Sequence, residues 1–249
     1  MKGYKMLNAN MTAMYGKMEY EVGKTYKLEG EIIPCKQGFH FCKELTDCLY
    51  YCPNLDNSKR FFEIETGDNV IEDNVIEKAD KCVTDEITLI KELSLEEVLQ
   101  YIRENKNKVN WDAVCGYQKL PEDFIREFQD KINWGYLSIH QKLSEEFIRE
   151  FKDELYWECL SEYQVLSEDF IREFKDKIDW DYISSCQKLS EDFIREFQDE
   201  LDWECLSFYQ VLSEDFIREF KNRVNWFYIG EYQELSEEFI KEFEYRLSL

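Results

Sequence analysis

The fold is decided by the stretch KLSEDFIREFQDELDW, which runs from Lys188 to Trp203. Near copies begin earlier in the chain: KLPEDFIREFQDKINW at Lys119, KLSEEFIREFKDELYW at Lys142 and VLSEDFIREFKDKIDW at Val165. The six tryptophans of the chain follow one another at intervals of 23 residues: Trp111, Trp134, Trp157, Trp180, Trp203 and Trp226. A fixed period of this length indicates an array of stacked structural repeats.

Each unit of the array is predicted to contain two helices. Asn or Asp precedes five of the six tryptophans, and such side chains accept hydrogen bonds at the start of a helix. The second helix is predicted to begin after a serine and to carry acids in its first turn, where they suit the helix dipole. The serines are Ser144, Ser167, Ser190, Ser213 and Ser236, and Pro121 takes their place in the first unit. The apolar residues Leu166, Phe170, Ile171, Phe174 and Ile178 recur at helical spacing and predict that the second helix is long, with one buried face.

A helical pair of this size cannot bury its own apolar face, so the pairs are predicted to stack into an α-solenoid. The predicted organisation is a small domain over residues 1–92, a capping half-repeat over 93–110 and an array of six units over 111–249. Ser94 and Glu97 form a predicted capping box at the start of the half-repeat. The segments that begin at Trp157 and Trp203 are nearly identical, and this second period of 46 residues indicates duplication by pairs of units.

Residues 1–92 lack the 23-residue period and hold most of the glycines. YEVGKTYKLEGEIIPC, GFHFC, RFFEIETG and EITLIKEL are predicted to be short strands, and KELTDCLYYC a short helix. The predicted fold class is therefore an α+β N-terminal domain followed by an all-α solenoid of six 23-residue helix-turn-helix repeats.

The composition is strongly acidic, with 54 Asp and Glu against 31 Lys and Arg, a net charge of −23 that lies mostly in the array. This balance disfavours direct binding to nucleic acid or to an anionic membrane and favours a basic protein partner. No run of 18 apolar residues is present, and the first residues lack the apolar core of a signal peptide. Nine cysteines without an export signal predict reduced thiols in the cytosol.

The N-terminal sequence resembles a known family. The run YEVGKTYKLEGEIIPCKQGFHFCKELTDCLYYCP, followed by RFFEIE and EITLIKEL, resembles a small uncharacterised domain found widely in proteins of phages, prophages and large DNA viruses. The resemblance covers residues 3–92 and implies a viral or mobile-element protein that acts in a host cytosol. The array is similar to the helical repeats of giant-virus and phage proteins.

An enzymatic alternative rests on GFHFC, which is similar to the second conserved strand of ADP-ribosyltransferase-like folds. That likeness implies a site for a nicotinamide dinucleotide at His40, Tyr50 and either Glu63 or Glu65. A late strand with the catalytic glutamate pair of that family is missing, and Tyr50 and Tyr51 are more simply core aromatics. A further alternative is an N-terminal domain that sequesters a nucleotide, with the array as a targeting module.

Metal and phosphate motifs are weak. Cys35, Cys42, Cys48 and Cys52 lie near His40, but their spacing is not that of paired zinc ligands, so buried free thiols are predicted. GKTY at Gly23 lacks the other glycine of a phosphate loop. Neither a metal nor a cofactor is predicted. The cysteines of the array are predicted to serve packing: Cys115, Cys159, Cys186 and Cys205. The same role is predicted for the repeated position that holds His140 in the second unit and Tyr or Cys in the other units.

A triplet of acids recurs in the second helix of each unit and is the predicted binding surface. The residues are Asp123, Glu127, Asp130, Glu146, Glu150, Asp153, Asp169, Glu173, Asp176, Asp192, Glu196, Asp199, Asp215 and Glu219. Like charges four residues apart are slightly destabilising, and a neighbouring stripe of Glu→Arg pairs, such as Glu168 and Arg172, partly compensates. A merely solvated face is the simpler alternative.

Stacking would align the triplets into an acidic ribbon that imitates the phosphates of nucleic acid. The sequence therefore predicts a non-enzymatic viral or mobile-element protein that binds a host protein or ribonucleoprotein with a basic groove. The expected consequence is inhibition of a nucleic-acid-handling defence complex, such as a CRISPR effector. Neither the oligomeric state nor the face of the solenoid that carries the ribbon follows from the sequence.

Overall fold

The computed structural model describes residues 1–13, 18–50, 59–73, 80–117 and 119–247. The chain divides into two compact units, Met1–Asn133 and Trp134–Leu249. The first unit contains an α+β region with two sheets and the beginning of the helical array, and the second unit contains helical repeats only. The predicted fold class is confirmed.

Among the described residues, seven strands form two sheets, and every pairing between them is antiparallel. The strands are β1 Lys2–Leu7, β2 Thr25–Lys27, β3 Phe39–Phe41, β4 Arg60–Thr66, β5 Val70–Asp73, β6 Lys81–Thr84 and β7 Glu86–Leu93. The four-stranded sheet has the order β1-β4-β7-β2, and the three-stranded sheet has the order β3-β6-β5. A single bridge between Tyr4 and Cys42 joins β1 to the end of β3.

The sequence-based prediction missed three of these strands, and one predicted strand is much shorter than expected. Strands β1, β5 and β6 were not predicted, and in β1 a buried lysine, Lys5, interrupts the apolar pattern. Of the predicted strand over residues 20–35 only Thr25–Lys27 forms, because Gly23 (φ 83°) and Gly30 (φ 110°) turn the chain on either side.

The core of the α+β region lies between the sheets, where Leu7, Phe62, Ile87 and Leu89 are fully buried. Gly38 enters β3 with φ 129°, and a Cβ atom there would lie 2.3 Å from Cγ2 of Val83. Only glycine fits this close approach of β3 to β6.

The helices outside the array are α1 Leu45–Tyr50, α2 Leu95–Glu104 and the short α15 Glu244–Leu247. Six pairs lie between them in the described residues. The first helices are α3 Trp111–Tyr117, α5 Trp134–His140, α7 Trp157–Tyr163, α9 Trp180–Cys186, α11 Trp203–Tyr209 and α13 Trp226–Tyr232. The second helices are α4 Glu122–Glu127, α6 Glu145–Glu150, α8 Glu168–Glu173, α10 Glu191–Glu196, α12 Glu214–Glu219 and α14 Glu237–Glu242.

The predicted length of the second helix is wrong. Helix α8 has six residues, and Phe174 is already its C-cap. The chain then turns back with hydrogen bonds four residues apart, such as Ile178 N–H to the Phe174 carbonyl at 3.2 Å. These turns preserve helical spacing after the helix has ended, so Ile178 is still buried.

The predicted helix starts are largely confirmed. The side chain of Ser167 accepts a hydrogen bond from the N–H of Phe170, and four other serines do the same: Ser144, Ser190, Ser213 and Ser236. Asp179 and Asp202 cap first helices, whereas Tyr156 and Pro121 provide no side-chain cap. The capping box of Ser94 and Glu97 is also present.

A ladder of buried glutamines joins successive repeats within the second unit. Gln187, which is 5% exposed, donates to the carbonyls of Ser161 (2.9 Å) and Gln164 (2.7 Å), and its side-chain oxygen accepts from the N–H of Leu166 (3.1 Å). Gln164 and Gln210 repeat the pattern on their own preceding repeats. Each glutamine thus satisfies backbone groups that the preceding helical pair cannot satisfy itself.

A buried serine completes the contact between repeats. The hydroxyl of Ser184 donates to the Trp180 carbonyl (2.7 Å) and accepts from the N–H of Asp202, the residue that caps the first helix of the next repeat (2.9 Å). The tryptophans act inside each repeat, where the Trp180 ring lies 5.0 Å from the ring of Phe197. The period of 23 therefore repeats polar contacts as well as an apolar interface.

Helix α2 occupies the place of a second helix within the first unit. Arg103 on α2 binds the carboxylate of Glu127 at 3.0 Å and lies over the Phe124 ring at 5.3 Å. The same helix contacts the α+β region, because the hydroxyl of Tyr101 hydrogen-bonds to Glu44. The predicted capping half-repeat is thus a structural neighbour of both regions of this unit.

We expect the substitution Gln187→Ala to lower the free energy of unfolding by about 3 kcal/mol, because it leaves two buried carbonyls and one N–H without partners. Lys188→Ala, at the exposed neighbouring position, is the matched control and should change it by less than about 0.5 kcal/mol. Urea unfolding followed by circular dichroism measures both, and amide exchange at Leu166 localises the effect. Equal stability of the two variants would contradict the role of the ladder.

Candidate functional site

The second helices carry a ladder of arginines and acids. Nε of Arg172 lies 2.8 Å from a carboxylate oxygen of Glu196 in the next repeat, and Nη1 lies 3.0 Å from Asp169. Glu168 is 3.6 Å away, which confirms the predicted i,i+4 pair, and the guanidinium covers the Phe193 ring at 5.0 Å. The hydrogen bond to Glu196 raises the pKa of Arg172. Arg149, Arg195 and Arg218 make the equivalent bonds to Glu173, Glu219 and Glu242.

This ladder changes the predicted acidic ribbon. The middle member of most triplets is paired with an arginine of the preceding repeat, as Glu173, Glu196 and Glu219 are in the second unit and Glu127 is in the first. The prediction that the whole triplet lies in the second helix is wrong for its third member, because each second helix ends at the middle glutamate. The third members lie in the following turn, where Asp153 contacts Lys177, Asp199 contacts Arg223 and Asp130 contacts Lys131.

The first members of four triplets are almost fully exposed. The side chains of Asp123, Asp169, Asp192 and Asp215 are 92–98% exposed, although each lies near an arginine of its own helix. Glu146, Glu150 and Asp176 are exposed as well. We call Asp123, Asp169, Asp192 and Asp215 the outward aspartates. That any triplet binds a protein remains a prediction.

Four first helices, α7, α9, α11 and α13, form a second acidic surface that the sequence-based prediction missed; its acids are Glu158, Glu162, Asp181, Glu204 and Glu231. Neither Lys nor Arg occurs in the first helices of the second unit, α5, α7, α9, α11 and α13. These helices form a row from α5 to α13, in which each helix contacts the next. The position predicted to be structural is exposed at Tyr163 (52%), Tyr209 (58%) and Tyr232 (55%), and Cys186 is exposed too. The signal was available in the sequence, since a buried position would not alternate among Tyr, His and Cys.

Carboxylates and aromatic rings contact each other along this surface, which we call the acid–aromatic face. The nearby carboxylate of Glu162 raises the pKa of Tyr182 from the neighbouring helix. The hydroxyl of Tyr228 donates to Glu204 at 3.3 Å, and the Tyr228 ring lies 5.1 Å from Phe208. Acids beside exposed rings provide ion pairing and cation–π contact for lysine or arginine side chains.

A cavity of about 290 Å³ lies in the α+β region and is lined by Lys5, Lys36, Lys81 and His40 together with aromatic side chains. Lys5 is only 7% exposed, and its ammonium group donates to the His40 carbonyl at 2.6 Å. Burial lowers the pKa of Lys5 to about 8, the thiols of Cys48 and Cys42 oppose this effect, and Lys81 adds to it. Among the described residues, carboxylates are absent from the lining.

The residues of the enzymatic alternative are not brought together. His40 lines this cavity, and its Nε2 accepts from the N–H of Cys35 at 3.0 Å. Glu63 and Glu65 line a different cavity, beside Tyr4 and Tyr101. The side chain of Tyr50 and the whole of Tyr51 lie outside the described residues.

The cysteines differ from one another in burial. Cys42 and Cys48 are buried as predicted, and their mutual hydrogen bond, with burial, raises the pKa of Cys42. Cys35 is exposed, contrary to prediction, and its sulfur accepts from Nζ of Lys81 at 3.2 Å. Cys52 lies outside the described residues, and within the described ranges no three potential metal ligands are grouped.

In the array, the predicted packing role fits Cys115, which is fully buried, and fails for Cys186, which is exposed. Burial raises the pKa of Cys115 to about 11, although its sulfur accepts from the N–H of Asn133. Cys115 thus takes the place that serine holds in later repeats. Cys159 and Cys205 are partly buried.

Residues 1–101 match the family described as Domain of unknown function (DUF7666), which covers the α+β region and most of α2. Searches of curated proteins and of solved structures found no match. Over the described ranges, every helix is too short or too polar to cross a membrane.

We expect Arg195→Gln to lower the free energy of unfolding, because three partly exposed ion pairs and a ring contact are lost together. Lys175→Gln, which removes the same charge from an exposed lysine, is the control. The difference between the two variants should shrink at about 1 M NaCl, where screening is strong. Thermal unfolding at low and high salt checks this, and a difference that grows with salt would contradict it.

We expect Lys5 to titrate near pH 8, about two units below an ordinary lysine, because burial disfavours the charged form. Lysine side-chain NMR across this pH range measures the midpoint, and Lys5→Met assigns the signal by removing it. Lys27, whose pKa is raised by its hydrogen bond to Glu86, is the internal reference. A spectrum in which every lysine titrates at the ordinary value would refute the assignment.

Proposed function

We propose that this chain is a non-enzymatic interaction protein whose acidic helical array binds a basic surface on a protein or ribonucleoprotein. The observation that carries the proposal is the concentration of exposed carboxylates on a regularly repeated scaffold, where most of the described ion pairs are themselves solvent-exposed. The net charge of −23 favours a positively charged partner and disfavours direct contact with nucleic acid.

Two surfaces of the array can serve this function. Within the second unit the outward aspartates Asp169, Asp192 and Asp215 recur every 23 residues on the second helices, and regular spacing suits a groove that otherwise holds the phosphates of nucleic acid. The acid–aromatic face adds exposed rings, which would stack on arginine and cover lysine. The middle glutamates are less suitable, because a partner would have to displace the arginines already bound to them.

The resemblance of the N-terminal residues to domains of phage and large-DNA-virus proteins supports a more specific proposal. In that proposal the chain is a viral or mobile-element protein that acts in the cytosol of a host cell. Its partner is a nucleic-acid-handling defence complex of the host, such as a CRISPR effector, and occupation of the basic groove blocks that complex. Imitation of nucleic acid would be the mechanism of inhibition.

The alternative is an ADP-ribosyltransferase-like or nucleotide-sequestering N-terminal domain with the array as its targeting module. The separation of His40 from Glu63 and Glu65 weighs against the transferase. The cavity lined by Lys5 keeps ligand binding by the N-terminal domain open as an additional property.

Charge neutralisation without loss of fold tests the main proposal. We expect Asp169→Asn, Asp192→Asn and Asp215→Asn together to weaken capture of the partner from host-cell lysate by about tenfold or more, because three exposed charges are lost. The matched control removes three exposed acids outside the array: Glu29→Gln, Glu31→Gln and Asp68→Asn. A second triple variant, Glu158→Gln, Glu162→Gln and Glu204→Gln, tests the acid–aromatic face.

The captured complex should release labelled nucleic acid when the chain is added, and capture should weaken steeply between about 50 and 200 mM salt. The proposal fails if both array variants capture as well as the control variant. It also fails if the interaction is insensitive to salt.

A further inference from the structure

The ammonium group of Lys5 is buried in the α+β region without a carboxylate partner among the described residues. Buried ammonium groups are normally paired with a carboxylate, because an isolated charge is costly to desolvate. The Lys5 ammonium has three N–H donors, and the His40 carbonyl takes one of them. Within the described residues, Lys5 forms no ion pair, and the only other contact of its charge is with the Tyr20 ring at 5.2 Å.

A second lysine lines the same cavity. Lys81 on β6 lines it together with Lys5 on β1, and the charge of Lys81 makes the charged form of Lys5 less favourable. The other titratable groups that act on Lys5 are the thiols of Cys42 and Cys48, which are weak acids. Lys5, Lys36 and Lys81 therefore bring positive charge to one cavity whose described lining contains no carboxylate, and Lys81 also donates to Sγ of Cys35 at 3.2 Å.

The remaining walls restrict the ligand further. The rings of Tyr20 and Phe41 provide apolar surface, and a volume of about 290 Å³ suits a small molecule. A phosphate monoester carries a charge of about −2 at neutral pH, which matches two ammonium groups better than a carboxylate does. Lysine binds phosphate as a point charge, so strict two-point geometry is unnecessary.

We propose that the cavity between β1, β3 and β6 binds a small phosphate monoester, with the phosphate between the ammonium groups of Lys5 and Lys81 and the organic part against Tyr20 and Phe41. This site is independent of the array and of its partner.

Phenyl phosphate is the probe, and amide NMR titration of the full chain is the measurement. We expect saturable shifts at β1, β3 and β6, with affinity lowered about tenfold or more in Lys5→Met and in Lys81→Met, the loss expected for one hydrogen bond to a charged group. Lys27→Met, an exposed lysine on β2 that is paired with Glu86, is the matched control and should bind within about twofold of the natural chain. Because Lys81 is only partly buried, its variant tests the proposal even if Lys5→Met fails to fold.

Two comparisons separate the parts of the proposal. Phenyl sulfate, a monoanion of the same shape, should bind more weakly than phenyl phosphate, and inorganic phosphate should bind more weakly because it lacks the ring. Cys35 lines the cavity and is exposed, so phenyl phosphate should slow its alkylation by iodoacetamide, while Cys186, which is also exposed, serves as internal control. Unchanged affinity in either lysine variant, equal affinity for the three probes, or unprotected Cys35 would overturn the proposal.

Discussion

The repeats depend on one constraint, which is that a pair of helices of seven and six residues cannot satisfy its own backbone. A buried glutamine from the next repeat supplies the missing partners, as Gln187 does for two carbonyls and one N–H of the preceding unit. Because the three bonds require a fixed position, an inserted residue would displace the glutamine from all of them at once. The array can therefore vary its surface from unit to unit while its length of 23 stays constant.

Features that depend on local hydrogen bonds could be predicted from the sequence. The serine caps and the capping box of Ser94 and Glu97 lie within one helical turn, and they form where the sequence places them. The length of the second helix could not be predicted, because the turn after Phe174 keeps the hydrogen bonds and the apolar spacing of a helix. Strand β1 was hidden for a different reason, since the buried Lys5 breaks the alternation that indicates a strand.

The candidate surfaces show a similar limit. Helical arithmetic finds partners four residues apart, such as Glu168 and Arg172, but it does not find Glu196, which lies 24 residues from Arg172. Pairing across repeats decides which carboxylates are available to bind a partner. The sequence-based prediction therefore counted the middle glutamates of the triplets as binding residues, although arginines of the preceding repeats already bind them. The sequence-based prediction also missed the first helices as a possible binding surface. It assigned the aromatic side chain at a repeated position to packing, although the rings of Tyr163, Tyr209 and Tyr232 are about half exposed.

The two sites proposed for this chain use charge at different ranges. The array would act through a field of many exposed carboxylates, which extends about one Debye length, or 8 Å, at physiological salt. The net charge of −23 gives a phosphate monoester no long-range attraction to the chain, so the cavity cannot gain its ligand in that way. Its affinity must come from contact with Lys5 and Lys81 inside a wall of low polarity, where each interaction is stronger and less screened. Salt should therefore weaken the binding of a basic partner to the array much more than the binding of a dianion in the cavity, and the two activities can be separated in one chain by ionic strength alone.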